Sequence, residues 1–270
     1  MKRGAAPGKI NLALVVGPPR ADGRHELMTV YQRVALSDHI TVECAPALYV
    51  AGFGADTLVR RALESVAGVN GSTFAAQIRK RLPVAAGLGG GSSDAATALR
   101  LANALRETPL SEDELRTRAC ELGADVPYFL IDGPQLGTGD GTELEPLDLP
   151  QDYWIVLVVP RAATKSSTGD VYAAFDARAA HRDFEARRAR LLDALGTVRR
   201  PRDLAALPAN DLASSPLAEE LVQLGAFRAD VTGAGPAVYG LFLHASHARA
   251  AQKEMSRKGR TWVTAPAWYR

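Results

Sequence analysis

The sequence predicts an α+β fold of two domains. Strand-like and helix-like segments mix along the chain without regular alternation, which favours α+β over a parallel α/β sheet. The length of 270 residues permits one large domain or two modest ones, and a fresh buried-strand pattern after 149–151 places a boundary there. The predicted domains are therefore 1–150 and 151–270.

The first domain opens with a strand over 10–14, where apolar residues alternate with polar or small ones. This alternation puts Lys9 and Asn11 on one face of the strand. Ser111 and Glu114 have the spacing of a capping box, which predicts the start of a helix. The elements predicted in this half are completed by a turn-rich stretch at 17–23, a strand at 30–42 with a loop near Ser37 and Asp38, a helix at 57–66, a strand at 74–79, and helices at 93–105 and 111–123.

The second domain opens with a buried strand over 154–159 that ends at Pro160. Its later part alternates helical and strand patterns. The predicted elements are helices at 170–177, 183–195 and 216–224, strands at 227–232 and 237–243, a helix at 246–258 and a strand at 261–264.

Composition excludes several classes of protein. Hydrophobic residues at 47% and charged residues at 23% are ordinary for a globular chain. A net charge of +2, with arginines scattered through helical segments, gives no reason to expect nucleic-acid binding. The two cysteines, Cys44 and Cys120, lack metal-ligand spacing, and no apolar stretch approaches the roughly 20 residues of a membrane span. We therefore expect a cytoplasmic protein that binds neither nucleic acid nor membrane. We further expect a monomer or weak homodimer whose partners are small molecules.

A glycine-serine loop within 83–95 carries the strongest functional signal. Its glycines let backbone N–H groups approach an anion, its serines add hydroxyl donors, and the helix that follows presents its positive end. The pattern predicts a triphosphate cradle without the lysine of a P-loop, and the alternative is a flexible loop with a serine N-cap. The candidate residues for the phosphates of ATP are Pro83, Ala85, Gly87, Leu88, Gly89, Gly90, Gly91, Ser92 and Ser93.

The loop resembles the second motif of the GHMP kinase superfamily. The first motif of that superfamily resembles 6–12 (APGKINL), and the third resembles 232–237 (TGAGPA). Taken alone, the third motif could equally be a turn between two strands. The resemblance implies a two-domain GHMP kinase-like fold with the active site in the interdomain cleft.

Within the superfamily, the chain is most similar to the 4-diphosphocytidyl-2-C-methyl-D-erythritol kinases, from about residue 5 to the C-terminus. Departures from that pattern include Arg24, where Tyr is usual, and Ala213, where Glu is usual. The matching segments are 22–27 (DGRHEL), Gln32 with Leu36 and Asp38, 122–129 (LGADVPYF), 159–160 with Thr168 and Tyr172, and Asn210 with Leu212.

Asp125 is the candidate general base. It lies in an apolar run, where a charge is costly unless it has a partner, although it could instead cap a turn before Pro127. Lys9 is the candidate partner, and its own neighbourhood favours a solvated lysine on a strand face. Asn11 shares that ambiguity. The resemblance implies that the Asp–Lys pair activates the acceptor hydroxyl.

The resemblance also implies how the acceptor binds. His25 would read the edge of a cytosine, which an exposed imidazole after a turn can do. We expect Tyr172 and Arg24 to bracket the base, with two alternatives for Arg24: contact with the diphosphate, or with solvent. The candidate substrate-binding residues are Asn11, Arg24, His25, Thr168, Tyr172, Gly233 and Gly235.

The expected reaction is phosphoryl transfer from ATP to the 2-hydroxyl of a diphosphocytidyl sugar alcohol, on the non-mevalonate route to isoprenoid precursors. Mg²⁺ is the expected cofactor because a triphosphate requires it, and Ser92 is a candidate ligand. The resemblance does not assign the adenine pocket, and Thr57 stands in a segment, 56–59, that often carries Asn in the family. The alternatives are a GHMP kinase for another alcohol, such as homoserine or mevalonate, and a non-catalytic protein of the same fold that binds nucleotide or RNA.

Overall fold

The structure of the chain is a computed structural model, which describes residues 1–54, 58–67, 73–161, 168–178 and 180–267. Helices and strands mix in it, so the predicted α+β class is confirmed. Its strands are β1 (Lys2–Pro19), β2 (His25–Ala45), β3 (Tyr49–Ala51), β4 (Thr73–Arg79), β5 (Gln135–Thr138), β6 (Glu143–Pro146), β7 (Trp154–Pro160), β8 (Arg228–Val231), β9 (Val238–Phe242) and β10 (Gly259–Thr264). Its α-helices are α1 (Leu58–Val66), α2 (Gly90–Asn103), α3 (Glu112–Leu122), α4 (Thr168–Ala177), α5 (Phe184–Thr197), α6 (Pro216–Gln223) and α7 (Ala245–Met255).

The chain divides into two compact units that are discontinuous in sequence. The strands β1 and β2 contribute residues to both. The domain boundary expected near residue 150 was placed from a strand pattern in the sequence, whereas these units are defined by contacts in the fold. That boundary stays a prediction. The first unit comprises Met1–Gly8, Leu36–Val84 and Gly89–Asp132, and the second comprises Lys9–Ala35, Ala85–Leu88 and Gly133–Arg270.

The first unit packs three helices with a short sheet. β4 pairs antiparallel with β2 from His39 opposite Arg79 to Ala45 opposite Thr73, and β3 runs parallel to β4. The buried face of α1 carries Val59, Ala62, Leu63 and Val66 at helical spacing, and α1 packs against α2.

The second unit contains a four-stranded antiparallel sheet in the order β10–β7–β9–β8. Its strands were predicted within a few residues of their observed positions. A hydrophobic cluster that includes Val156, Leu221, Phe242 and Met255 packs α6 and α7 onto this sheet. The hairpin of β8 and β9 carries the third glycine motif in its loop, and β5 pairs separately with the segment of β2 around Val30.

The capping box is confirmed, since Ser111 Oγ accepts from Glu114 N at 3.3 Å and Glu114 Oε2 accepts from Ser111 N at 2.8 Å. The loop expected near Ser37 and Asp38 is wrong, because β2 continues through both residues. Asp38 is fully buried, and its carboxylate accepts from Leu82 N at 2.8 Å, so the strand tolerates the charge.

Several other boundaries differ from the expectation, and two of them bear on the candidate site. β1 extends to Pro19, so that the turn begins at Arg20 rather than at 17. α2 begins at Gly90 rather than at 93, which places part of the glycine-serine loop in the first helical turn. In the described ranges of the chain, no helix combines the length and the apolar character needed to cross a bilayer.

Candidate active site

Gly87 connects the second and third glycine motifs within the second unit. Its φ of +83° is one that glycine adopts readily, and a Cβ there would lie 2.4 Å from the carbonyl oxygen of Thr232. Leu88, the next residue, accepts a hydrogen bond from the backbone N–H of Lys9 at 2.9 Å. The start of the phosphate loop is therefore tied to the first motif and to the third.

Lys9 is buried, at 4% exposure, so the alternative of a solvated lysine is wrong. Its Nζ donates to Asn11 Oδ1 at 2.8 Å and lies 5.5 Å from the centre of the Tyr31 ring. A Cβ on Gly233 would lie 3.6 Å from Lys9 Nζ and 3.6 Å from Asn11 Oδ1. The structure thus brings Lys9, Asn11 and Gly233 together. For Lys9 and Asn11, this contact confirms the prediction that they share one face of β1.

Two buried threonines hold Asn11. Asn11 Nδ2 donates to Thr29 Oγ1 at 2.7 Å, and the Thr29 hydroxyl donates to the carbonyl oxygen of Ala13 at 2.8 Å. The backbone N–H of Asn11 donates to Thr232 Oγ1 at 3.1 Å. The third motif is fixed in turn by Asn210, whose amide donates to the carbonyl oxygen of Gly233 at 2.7 Å.

In the first unit, the N-terminus of α2 is built for an anion. Gly89 is the N-cap in the left-handed conformation, with φ 66°, and the first turn consists of Gly90, Gly91, Ser92 and Ser93. The N–H of Ser93 donates to the carbonyl oxygen of Gly89 at 2.9 Å, and the N–H groups that precede this bond have no partner inside the helix. The helix dipole adds positive potential at the same end. Gly91 is exposed and Ser92 is half-buried, whereas Ser93 is buried. The serine N-cap alternative is wrong, because the cap is Gly89.

The other two phosphate candidates flank this loop. Pro83 is buried and Ala85 is exposed, and Ala85 has a φ of 57° without being a glycine. Thr57, in the segment where the family often carries Asn, lies outside the described residues.

A charged cluster that sequence reasoning missed lies behind the first turn of α2. Lys80 Nζ donates to Asp38 Oδ2 at 2.5 Å and to Asp94 Oδ2 at 2.7 Å, and a Cβ on Gly90 would lie 3.5 Å from this Nζ. Burial raises the pKa of the Asp94 carboxyl to about 7, although the bonds to Lys80 oppose the shift. Burial works to lower the pKa of Lys80, but its bonds to both carboxylates outweigh this effect and raise it.

Asp125 is half-buried in the first unit, in the turn between α3 and a 3-10 helical turn at Pro127–Leu130. The N–H of Val126 donates to the carbonyl oxygen of Gly123 at 3.0 Å and closes this turn. Lys9 belongs to the second unit. The pairing of Asp125 with Lys9 stays a prediction.

His25 and Tyr172 meet in the second unit. Their ring centroids lie 4.8 Å apart with a tilt of 34°, and Phe175 meets the His25 ring edge-on at 6.2 Å. His25 Nε2 lies 2.8 Å from Asp176 Oδ1 on α4, a carboxylate that the sequence reasoning did not single out. Thr168 is the exposed first residue of α4, and Gly235 is a half-buried residue of the third motif.

Arg24 forms an ion pair with Asp140, between β5 and β6 in the second unit. Thr142 Oγ1 donates to the same carboxylate at 2.7 Å. Burial would raise the pKa of Asp140, but the bonds from Thr142 and Arg24 outweigh it, and the pKa falls below its ordinary value. The sequence could have indicated Asp140 only through its turn-rich context, Gly139 to Gly141, since acidic residues are common in turns.

Comparison with known proteins identifies both halves of the chain. Residues 57–133 match the family described as "GHMP kinases N terminal domain", and residues 204–261 match "GHMP kinases C terminal". A 4-diphosphocytidyl-2-C-methyl-D-erythritol kinase from a Nocardioides species is 37% identical, over 96% of this chain and 95% of the relative. The enzyme of the same name from Pelobacter propionicus is 36% identical, over 97% of this chain and 96% of the relative.

Solved structures agree with these relatives. A crystal structure of 4-(cytidine 5'-diphospho)-2C-methyl-D-erythritol kinase matches with a TM-score of 0.81 and 31% identity, over 98% of this chain and 99% of that one. A mevalonate kinase matches with a TM-score of 0.74 at 13% identity, over 98% and 99% of the two chains, a likeness that shows the fold alone.

Proposed function

The chain belongs to the 4-diphosphocytidyl-2-C-methyl-D-erythritol kinase family of GHMP kinases, and we propose that it phosphorylates the 2-hydroxyl of 4-diphosphocytidyl-2-C-methyl-D-erythritol with ATP. The product is the 2-phosphate, on the non-mevalonate route to isoprenoid precursors. One observation carries the proposal in this chain. Lys9 and Asn11 contact each other, and both lie next to Gly233. Their backbone N–H groups donate to Leu88 and Thr232, two residues that adjoin Gly87. A cation beside two glycine loops suits an anionic, phosphate-bearing substrate.

The residues at 87–93 would bind the phosphates of ATP, flanked by Pro83 and Ala85. Support comes from the positive φ of Gly87 and Gly89, and from a first turn of α2 that carries only glycine and serine. Phosphoryl transfer needs little covalent chemistry from a protein, so catalysis consists mainly of positioning and charge neutralisation. The N–H groups of this loop would supply the positioning and the charge neutralisation for ATP.

Asp125 would accept the proton of the acceptor hydroxyl, and Lys9 would orient that hydroxyl and stabilise the developing oxyanion. Support for Lys9 is its burial and its short bond to Asn11, which fix the ammonium in one place. Support for Asp125 is a half-buried carboxylate in the segment that resembles the family motif. Asn11 and Gly233 would line the same place.

His25 would read the base, and Asp176 would set its tautomer. The Asp176 carboxylate only accepts, so the nitrogen that faces it, Nε2, carries a hydrogen. In the neutral ring, Nδ1 is then an acceptor, which suits the amino group of cytosine and not the carbonyl at the same place in uracil. Tyr172, stacked on His25, would extend its face over a base held in the plane of the imidazole. Thr168 and Gly235 would complete the acceptor site.

Mg²⁺ would neutralise charge on the phosphates of ATP. This cation prefers oxygen ligands and keeps several waters, so it is held largely by the nucleotide. Within the described ranges, no group of three or more His, Cys, Asp or Glu side chains could hold a metal ion. The hydroxyl of Ser92, half-buried in the first turn of α2, fits a single protein ligand of this kind. We propose that the protein acts in the cytoplasm. ATP is available there, and the free cysteines Cys44 and Cys120 suit a reducing compartment.

An assay of ADP release with a panel of acceptors tests the proposed function. We expect release with 4-diphosphocytidyl-2-C-methyl-D-erythritol and none above background with mevalonate or homoserine. The uridine analogue of the acceptor is the matched control for base reading, and it should react far more slowly. Release with mevalonate or homoserine alone would make the chain a different GHMP kinase, and no release with any alcohol would leave a non-catalytic protein.

A further inference from the structure

Thr29 has a hydroxyl whose hydrogen bonds are fully determined by its neighbours. The residue is 0% exposed, and its Oγ1 lies between the carbonyl oxygen of Ala13 at 2.8 Å and Asn11 Nδ2 at 2.7 Å. A carbonyl oxygen only accepts, so the single hydroxyl hydrogen goes to Ala13. The remaining lone pairs of Oγ1 must then face a donor, and that donor is the NH₂ group of Asn11.

The contact with Lys9 determines the same orientation of the Asn11 side-chain amide, from its oxygen end. Its ammonium carries only donors, and it lies 2.8 Å from one end of the Asn11 amide. The atom at that end must therefore be the oxygen. The opposite amide orientation would place two donors against each other at Lys9, so both neighbours select one orientation.

These bonds form a directed relay from Lys9 to Asn11, from Asn11 to Thr29 and from Thr29 to Ala13. Such chains polarise their members, and the first bond is charge-assisted. We infer that Thr29 is a positioning residue for phosphoryl transfer, because its hydroxyl fixes the Asn11 amide and, through it, the Lys9 ammonium. This inference rests on the proposed function, since it concerns the same site.

Thr232 gives the relay a second support, but a weaker one. Its Oγ1 lies 3.3 Å from Asn11 Oδ1 and 3.4 Å from the carbonyl oxygen of Gly87, so one hydrogen is shared between two distant acceptors. The 2.7 Å bond to Thr29 is the shorter restraint on the amide. Loss of the Thr29 hydroxyl would leave a buried NH₂ group without its partner and free the amide to rotate.

The test compares Thr29→Val, which keeps the shape and removes the hydroxyl, with Thr29→Ser, which keeps the hydroxyl. For Thr29→Val we expect kcat to fall about ten- to hundredfold, because a displacement of about 1 Å can cost that much, while the KM for ATP stays within about twofold. Thr29→Ser should recover most of the lost kcat. Thr97→Val is the matched control: Thr97 is also buried, its hydroxyl donates to the carbonyl oxygen of Ala5, and kcat should stay parental.

A double-mutant cycle shows whether Thr29 acts through Asn11. In an Asn11→Ala background, Thr29→Val should lower kcat little further. Multiplicative effects of the two substitutions, or a parental kcat for Thr29→Val, would overturn the inference. If Thr29→Val does not unfold cooperatively in urea, Thr29→Cys replaces it, because a thiol forms only weak hydrogen bonds. A parental kcat for Thr29→Cys would likewise overturn the inference.

A readout without substrate separates this inference from the proposed function. Crystal structures of the parent and the valine variant should differ in the Asn11 rotamer and in the position of Lys9 Nζ. Unmoved Asn11 and Lys9 side chains would overturn the relay, whatever the substrate. A parent that phosphorylates none of the acceptors would instead overturn the proposed function.

Discussion

Gly87 and Gly133 share the same backbone torsion but have different surroundings. Both have a φ of +83°. A Cβ at Gly87 would lie 2.4 Å from the carbonyl oxygen of Thr232 and 3.1 Å from that of Gly235, whereas a Cβ at Gly133 would meet nothing within 4 Å. Alanine at each position therefore separates the cost of backbone strain from the cost of a collision in the phosphate loop.

The expected losses follow from these contacts. A non-glycine residue in the left-handed region costs about 1–2 kcal/mol, so Gly133→Ala should lower the free energy of unfolding by about that amount. Gly87→Ala carries the same strain, and its collision is with backbone atoms that no side-chain rotation can relieve. Crowding of this kind costs about 1–3 kcal/mol more, which gives a total loss of about 2–5 kcal/mol.

Urea unfolding followed by circular dichroism measures both losses, and the KM for ATP reports on the loop itself. Gly87→Ala should raise this KM about tenfold or more, because the backbone must shift where Leu88 accepts from the Lys9 N–H. Gly133→Ala should leave it unchanged. Equal stability losses together with equal KM values for the two variants would refute the placement of Gly87 against the third motif.

Three other predictions concern charged side chains. Asp125→Asn should lower kcat by about two to four powers of ten with the KM for ATP unchanged, and its effect should combine less than multiplicatively with that of Lys9→Ala; near-parental turnover would remove Asp125 from the mechanism. The pKa of Asp94 rises from 3.8 to about 7 on folding, so the folded state holds a proton that the unfolded state loses. The free energy of unfolding should therefore fall as the pH rises from 4 to 7, and urea titrations should show less of this fall in Asp94→Asn; identical slopes would contradict the shift. Arg24→Ala should raise the acceptor KM several-fold and Arg24→Tyr should largely restore it, whereas an unchanged KM for Arg24→Ala would show that this side chain does not cover the base.

Local patterns in the sequence predicted the local features of the fold. The capping box at Ser111 and Glu114 involves residues three apart, and the shared face of Lys9 and Asn11 follows from the period of a strand. The loop expected at Asp38 failed because the groups that satisfy its carboxylate lie at 80–82, about forty residues further along the chain. A charged residue in a strand pattern looks like a break when its distant partner cannot be seen.

The same limit applied to the candidate site. The glycine motifs and His25 stand out in the sequence through residue type and spacing, whereas Thr29 is one hydroxyl in a strand pattern. Its importance comes from which atoms donate and accept around it, and those atoms belong to Ala13 and Asn11. Asp176 was not predicted as a site residue for the same reason, because only the folded chain places it against His25.

The ion pair of Arg24 with Asp140 is compatible with the stacking role that we propose for Arg24. The Arg24 side chain keeps 53% exposure in this pair, so its guanidinium stays accessible to a ligand. The hydrogen-bond donors of a guanidinium lie in its plane, and its stacking faces lie perpendicular to that plane. A carboxylate that binds at the edge, as Asp140 does through Nη1 of Arg24, would leave the faces for stacking and restrict how the plane turns. Thr142 holds Asp140 in turn, so the Arg24 side chain, which we propose to cover the base, would be oriented through its edge.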